Sequence, residues 1–568
     1  MKKCYLKLRK FATKRFSRTR KRKTKSGKSS TLLLVGAVLV LFYLVMLIKS
    51  AWIAEDMFIT FRTIDNFVDG YGLRWNIAER VQSFTHPLWL FVLTIPYFFT
   101  NEVVLTTTFV CMAASLFAVI LFAKNIPTSW KGLVVGMLML CLSKAFIDYS
   151  TSGLENPLNH LLLVAFYSLF LVKNKLDVKT FIFLNLFAAL GVLNRMDTLL
   201  LYFPVLVYAF VLMWKKKGLF KSLIYAFIGF LPFIGWEVFS LIYYGFPFPN
   251  TAYAKLSTGL PSIDLIQQGL IYLVNSISLD PITLFIIGAG IIAAVNSKDK
   301  KLLLISLAAV LYIIYTVKVG GDFMSGRFLA APFLLSVIVL SRCVKDDYKV
   351  FSILTGIVLA LTFVSPLSPL YAHEGYAVEK NELGYSAIPM TGIVDERGYF
   401  YEGVGLLRVA RGRSMPDYDW VGEGEATKDT DFKVYLRGAV GMFGYYARRD
   451  IHIVDYYALT DPLLARLPIS GDPYWGIDGV SNWRIGHFYR SIPVGYLGYL
   501  AGREDKFLDR DMAEYYKKLE IITRGPLFSL SRFTHIFNMN TGKYDHLLDT
   551  YISDSEQVDM FDIKRGDW

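Results

Sequence analysis

Residues 51–89 carry Glu55, Asp56, Arg62, Asp65, Asp69, Arg74, Glu79, Arg80 and His86, a density of ionisable groups that the apolar runs on either side lack. The first of those runs, 31–50, ends directly before this stretch, which places it at a membrane surface. Tyr71, Trp75 and Trp89 suit the headgroup level, where an amphipathic ring has one dry and one wet side. Two adjacent carboxylates, Glu55 and Asp56, could do three things here. They could cap the helix that follows, because free backbone N–H groups at a helix start favour a carboxylate. They could hold a divalent cation, Mg²⁺ or Ca²⁺, which takes carboxylates together with phosphate oxygens. One of them could also take the proton of an attacking hydroxyl as a general base. Asp56 is the first candidate for that base and Glu55 the second.

A base beside a membrane is useful if a lipid-borne group is being transferred, and a lipid phosphate needs cations to grip its oxygens in a partly dry site. The candidates are Arg62, Arg80, Arg195, Lys255, Lys318 and Arg327, each of which could instead snorkel to the interface. Lys318 and Arg327 bracket Gly320-Gly321-Asp322, a loop able to approach a ligand closely. Lys255 follows Pro247, Pro249 and Asn250, which constrain its loop, while Arg195 and Asp197 could close a local ion pair. His86, Glu155, Asp197 and Asp322 are candidates for bonding sugar hydroxyls or orienting the basic groups; for Glu155 and Asp322 capping and loop pairing are the alternative.

The elements that must position these residues are mostly membrane helices. Across 568 residues, 54% are hydrophobic and the mean hydropathy is +0.40, too apolar for an ordinary soluble protein. The net charge of +14 is not a nucleic-acid signal, because residues 1–30 hold fourteen Lys and Arg and no acid, leaving 47 basic against 47 acidic residues elsewhere. Such a tail before an apolar run is retained in the cytoplasm and can touch anionic lipid. Run 31–50 reads as a retained anchor, without the cleavage pattern of a signal peptide. Cys4, Cys111, Cys141 and Cys343 all precede the last third of the chain, so no disulfide is expected there, and no His/Cys cluster has zinc spacing.

Apolar runs fall near 31–50, 103–123, 132–148, 156–173, 179–194, 198–214, 220–243, 279–296, 301–318, 325–342 and 349–366. Run 86–100 is ambiguous, and charge decides it. If it crosses, the basic loops 215–221, 296–301 and 341–349 fall outside. If it lies on the surface or re-enters, all three fall inside with the tail, as the positive-inside rule asks. Eleven crossings follow, and 55–56, SGLEN (152–156), NRMD (194–197), loop 244–278 and GGDFMSGR (from 320) then share the outer face. Over 56–68, Met57, Phe58, Phe61, Ile64 and Val68 recur at helical spacing with Arg62, Asp65 and Asp69 opposite, which predicts a helix lying flat on the bilayer. From 367 to 568 charge rises, and FKVYLRG, AVGMFGYYARR and DIHIVDYYAL read as strand, helix and strand. Gly438, Gly441 and Gly444 are spaced for close helix packing on a sheet rather than as GxGxxG, and helices are predicted over 509–523 and 541–553.

The stretch EDMFITFRTIDNFVDGYGLRWN, with ERVQSFTHPLW after it, resembles the first outer loop of membrane glycosyltransferases of the GT-C superfamily. The resemblance is nearest to polyprenyl-phosphate arabinofuranosyltransferases that cap mycobacterial arabinan and to related enzymes that arabinosylate pilin. SGLEN, NRMD, PNTAYAK (249–255), GGDFMSGR and DYYALTDPLLARLP (455–468) fit the same family. The resemblance implies a polytopic α-helical membrane protein of GT-C type, with about 11 transmembrane helices over 31–366 and a C-terminal mixed α/β extracytoplasmic domain over 367–568. It implies transfer of a sugar, arabinofuranose, from a polyprenyl-phosphate donor to an envelope glycan or pilin outside the bacterial inner membrane. Asp56 matches the acidic residue that serves the acceptor in that family. Asp455, Asp461, His487 and Arg490 match its distal pattern and are expected to line an acceptor groove. A flippase of lipid-linked sugar would instead place ionisable residues near the middle of several spans, and a non-catalytic assembly scaffold would tolerate loss of Asp56. The topology predicts that a cysteine at position 257 reacts with a membrane-impermeant thiol reagent in intact cells while one at 298 does not; the reverse pattern overturns it.

Overall fold

The computed structural model describes residues 34–173, 175–345, 347–371, 388–409, 411–412, 414–471, 483–502, 507–549 and 551. Every one of the eleven apolar runs forms helix, beginning with Leu34–Ser50 and ending with Tyr348–Val364. Among the described residues, four helices are able by length and composition to cross a membrane: Val104–Asn125, Met196–Lys217, Leu219–Tyr243 and Lys300–Lys318. A fifth crossing is added if Ser262–Leu279 and Pro281–Ser297, bent by 110°, count together. The others are shorter because polar residues stop them early. Run 132–148 breaks at Ser143, whose hydroxyl caps a new short helix by accepting from Phe146 N. Asp177, Asp299 and Asp347 cap three helix starts in the same way. Helix Ser262–Leu279 lies inside the loop read as 244–278, where only its apolar spacing announced it.

The loops sort into two groups at opposite ends of the bundle. At one end the basic loops meet: Lys301 Nζ donates to the carbonyls of Phe170 and Lys173, Lys216 Nζ to Leu176 O, and Ser129 Oγ to Val344 O. At the other end the acidic loop 51–89 meets 152–156, 194–197, 249–255 and 320–327. Both ends of helix Pro87–Thr100 stay with this second group. His86 bonds Thr60 at 2.9 Å, and Tyr97 donates to Asp65 at 2.6 Å.

Helix Met57–Val68 does not lie on an open surface. Its expected polar face is covered by the C-terminal region. Arg62 is 2% exposed and donates to the carbonyls of Trp75, Gly444, Arg449 and Ile451, while Asp65 and Asp69 pair with Arg449. The covering unit is the expected strand–helix–strand: β1 (Val434–Arg437), helix Gly441–Tyr446, and β2 (His452–Asp455), parallel with Val434 opposite His452. Among the described residues the sheet has these two strands alone, so the region is mainly helical. The glycine spacing packs this helix on the first loop rather than on the sheet. A Cβ on Gly441 would lie 2.3 Å from Glu55 O, and one on Gly444 2.8 Å from the Trp75 ring. Trp52, Phe58 and Phe61 of the loop share one core with Phe323, Phe400, Met442 and Phe488. Helix 509–523 forms as Arg510–Arg524, capped by Asp509. The helix expected over 541–553 does not form; Leu530–Asn540 precedes it, and Gly542, at φ 72°, turns the chain into a short 3-10 turn at Asp545–Leu547. Of that segment, residues 550, 552 and 553 lie outside the described residues.

Candidate active site

At the acidic end of the bundle a cavity of about 440 Å³ opens beneath the first loop. Its anchor is Glu155, which precedes helix Asn156–Val172 and is fully buried. Glu155 Oε1 accepts from Arg195 at 2.9 Å and Arg327 at 3.1 Å, and its Oε2 lies 3.3 Å from His86 Nδ1. Arg195 also bonds Asp197 at 2.8 Å, and Asp197 accepts from Tyr312 at 3.0 Å. Burial alone would raise the Glu155 pKa; Arg327, the His86 bond and Arg195 hold it well below the ordinary carboxylate value. Gly320 and Gly321, at φ 87° and 77°, reverse the chain after Lys300–Lys318 and bring Asp322 within 3.6 Å of Arg327. Burial raises the Asp322 pKa, and Arg327 and Lys255 oppose the shift.

Among the described residues Lys255 is the cation of this cavity without an ion pair to a carboxylate. Its Nζ sits 5.4 Å over the Phe323 ring, and burial lowers its pKa. Its helix, Asn250–Leu256, is held at the start by Asn250, which donates to the carbonyls of Ala458, Leu459 and Asp461. Phe248 and Leu256, both exposed, stand at the cavity's rim and make its mouth apolar.

A second cavity of about 230 Å³ lies on the other side of the loop, lined by Glu55, Asp56, Glu396, Arg484, His487 and the rings of Phe323, Tyr399, Phe400, Trp420, Tyr456 and Tyr457. The two cavities share Asp56, Ile59 and Leu459. Asp56 is half-buried, and its carboxylate has no hydrogen bond or ion pair among the described residues. Neither it nor Glu55 caps helix Met57–Val68. Glu55 Oε1 instead accepts from Met442 N at 3.0 Å, and burial, then the charge of Asp56, pushes its pKa up to about 8. Glu55 is thus engaged by a backbone N–H, and among the described residues no group of three His, Cys, Asp or Glu gathers at the acidic pair.

Of the residues singled out from sequence, Glu55, Asp56, His86, Arg195, Asp197, Lys255, Asp322, Arg327 and His487 line one cavity or both. Glu155 holds three of them in place. Six fall elsewhere, five of them because the backbone already satisfies them. Arg62 is a strut to the outer region, as above. Arg80 donates to the carbonyls of Ile522 and Gly525. Lys318 is exposed at a helix end. Asp455 accepts from the N–H groups of Tyr457, Leu459 and Thr460, and Asp461 from those of Leu463 and Leu464 and from Tyr496. Arg490 donates to Leu467, Phe488 and Ala254. Sequence reasoning missed Glu396, Tyr399 and Trp420. The run Asp395-Glu396-Arg397 was the available signal.

Fold and site together describe a multi-pass helical membrane protein with its candidate site residues gathered at one end. Residues 87–236 match the family described as dolichyl-phosphate-mannose-protein mannosyltransferase. The chain is 28% identical over 420 residues to the terminal beta-(1->2)-arabinofuranosyltransferase of Mycobacterium tuberculosis, covering 65% of each chain. It is 26% identical to the Corynebacterium glutamicum protein of the same name, over 52% of this chain and 49% of that one. The matches thus span about two thirds and half of these relatives' lengths. ArnT from Cupriavidus metallidurans bound to undecaprenyl phosphate is similar at 12% identity and a TM-score of 0.43, over 77% of both chains. The resemblance to membrane glycosyltransferases read from the motifs is borne out by the family match and by the two arabinofuranosyltransferase relatives.

Removing Glu155 leaves Arg195 and Arg327 buried without their shared anion, a loss of about 3–5 kcal/mol. Because its folded pKa is depressed, its contribution is present above roughly pH 4.3 and is lost only as pH falls further through the folded value. Glu155→Gln is expected to lower the thermal midpoint in detergent at pH 7 markedly, whereas Asp56→Asn, at a site without a protein partner, leaves it nearly unchanged.

Proposed function

We propose that this chain is a GT-C glycosyltransferase that moves arabinofuranose from a polyprenyl-phosphate donor to a hydroxyl of an envelope glycan or pilin, at the outer face of the bacterial inner membrane. In this reading the N-terminal tail is cytoplasmic and the C-terminal region extracytoplasmic. The observation that carries it is an unpartnered carboxylate, Asp56, where a basic, lipid-facing cavity meets an acidic, aromatic one. The arabinofuranosyltransferase relatives support the choice of sugar, and their name directs the new bond to a 2-hydroxyl.

The donor phosphate lies in the first cavity and the acceptor hydroxyl enters from the second. Asp56 takes the hydroxyl proton as the oxygen attacks the anomeric carbon. The bond from that carbon to the phosphate oxygen breaks, and its electron pair leaves on the lipid phosphate. Lys255, Arg327 and Arg195 stabilise that charge, with the two guanidiniums pre-set by Glu155. Lys255, lacking a carboxylate partner, is the one whose charge is wholly available to the phosphate.

Asp56→Asn keeps size and removes proton-accepting power. It is expected to cut transfer roughly 10²–10⁴-fold in detergent with a defined polyprenyl-phosphoryl arabinofuranose, while donor binding persists. Lys255→Met is expected to weaken donor binding at least several-fold, in line with loss of a charged contact worth about 1.5–3 kcal/mol. Near-wild-type transfer by Asp56→Asn overturns the mechanism.

A further inference from the structure

We propose that Glu396 is an acceptor-binding residue, its carboxyl hydrogen-bonding a sugar hydroxyl of the acceptor next to the one that reacts. The inference rests on the reading of the second cavity as the acceptor side. Glu396 opens helix Glu396–Val404, is 7% exposed, and lines the cavity that also holds Asp56. Its two neighbours in sequence are both fastened. Asp395 pairs with Lys144 at 2.6 Å. Arg397 donates to Ser50 O at 3.0 Å, lies 3.8 Å from Asp148, and stacks over Tyr401 at 4.3 Å. These contacts lock the start of the helix to the membrane helices and hold the residue between them in the cavity wall. Yet the Glu396 carboxyl has no hydrogen bond or ion pair with any described residue.

A buried carboxyl without a partner is costly to a fold unless something outside the chain satisfies it. Burial, and then Asp56, hold its pKa well above the ordinary value, with Glu55 and Asp322 adding to the rise and Arg484 opposing it. The other titratable groups facing it are Tyr399 on its own helix, Tyr149 and Tyr418, and His487 lies in the same cavity. In its protonated form, which this burial favours, the carboxyl offers an O–H donor as well as a carbonyl acceptor, a match for vicinal sugar hydroxyls. The rings of Tyr399, Phe400 and Trp420 line the same cavity and offer a sugar an aromatic surface. Under the proposed function Asp56 is the base, so two carboxyls in one cavity take different roles.

The test uses the full chain in detergent and a short arabinofuranosyl oligosaccharide with a free 2-hydroxyl as the acceptor probe. Glu396→Met, apolar and of similar length, is expected to raise the acceptor KM roughly tenfold or more, the loss of about one or two hydrogen bonds. Its donor KM stays unchanged and its thermal midpoint does not fall. Glu396→Gln keeps one donor and one acceptor and is expected to restore the acceptor KM to within roughly threefold of wild type. An unchanged acceptor KM in Glu396→Met overturns the proposal, as does a drop in its thermal midpoint with KM unmoved. A kcat lost equally in Met and Gln also overturns it, since that outcome marks a proton acceptor. If the wild-type chain transfers no arabinofuranose at all, the functional reading fails by itself. Equilibrium binding of the same oligosaccharide to wild type and Glu396→Met then still decides the role of Glu396.

Discussion

The candidate site depends on one buried anion. Glu155 sits where three helix ends meet and takes Arg195, Arg327 and His86 on its two oxygens. Without a carboxylate there, two guanidiniums could not be kept dry and close together at the cavity wall. With it, they are held rigid and partly neutralised. The positive charge that remains in reach is divided between them and Lys255, whose Nζ sits over the Phe323 ring. The arrangement separates two tasks: the arginines define the shape of the basic wall, and the lysine supplies charge that no carboxylate cancels.

The distal carboxylates and Arg490 turn out to serve that lysine at one remove. Asp455 and Asp461 gather the N–H groups of the 455–464 turn and so present the carbonyls of Ala458, Leu459 and Asp461 to Asn250. Arg490 then clamps the carbonyl of Ala254, the residue before Lys255. Residues some two hundred positions downstream thus fix the start and the middle of the short helix that carries the cation. Charge at these positions is needed to satisfy backbone in a dry setting, which is why the motif resembles a binding pattern while none of its acids reaches either cavity.

Hydropathy made the membrane portion legible: all eleven apolar runs are helices, and the basic loops cluster at one end as their charge indicates. Helix Met57–Val68 was legible as a helix but not in its surroundings. Periodicity reports which face is polar, and it cannot tell water from a second layer of protein that offers carbonyls to Arg62. The same blindness explains Arg80, which was placed among phosphate ligands and is consumed by backbone. Lys255 and Asp56 were legible because Pro, Gly and acid pairs at a membrane edge are unusual. Glu396 was not, because it comes from a segment with no periodicity and reaches Asp56 only through the tertiary fold.

The two cavities share Asp56, Ile59 and Leu459. Phe248 and Leu256 stand exposed at the rim of one, and Arg484 and His487 line the other; the proposed function brings the carrier lipid to the first and the acceptor to the second. Under the proposed reading, traffic through the site is two-way without crossing. A spent carrier lipid can slip back into the membrane while the polymer chain stays seated, and the polymer can be exchanged while a fresh carrier waits. Neither substrate blocks the other's route, so the slow two-dimensional delivery of lipid and the three-dimensional delivery of acceptor need not be synchronised.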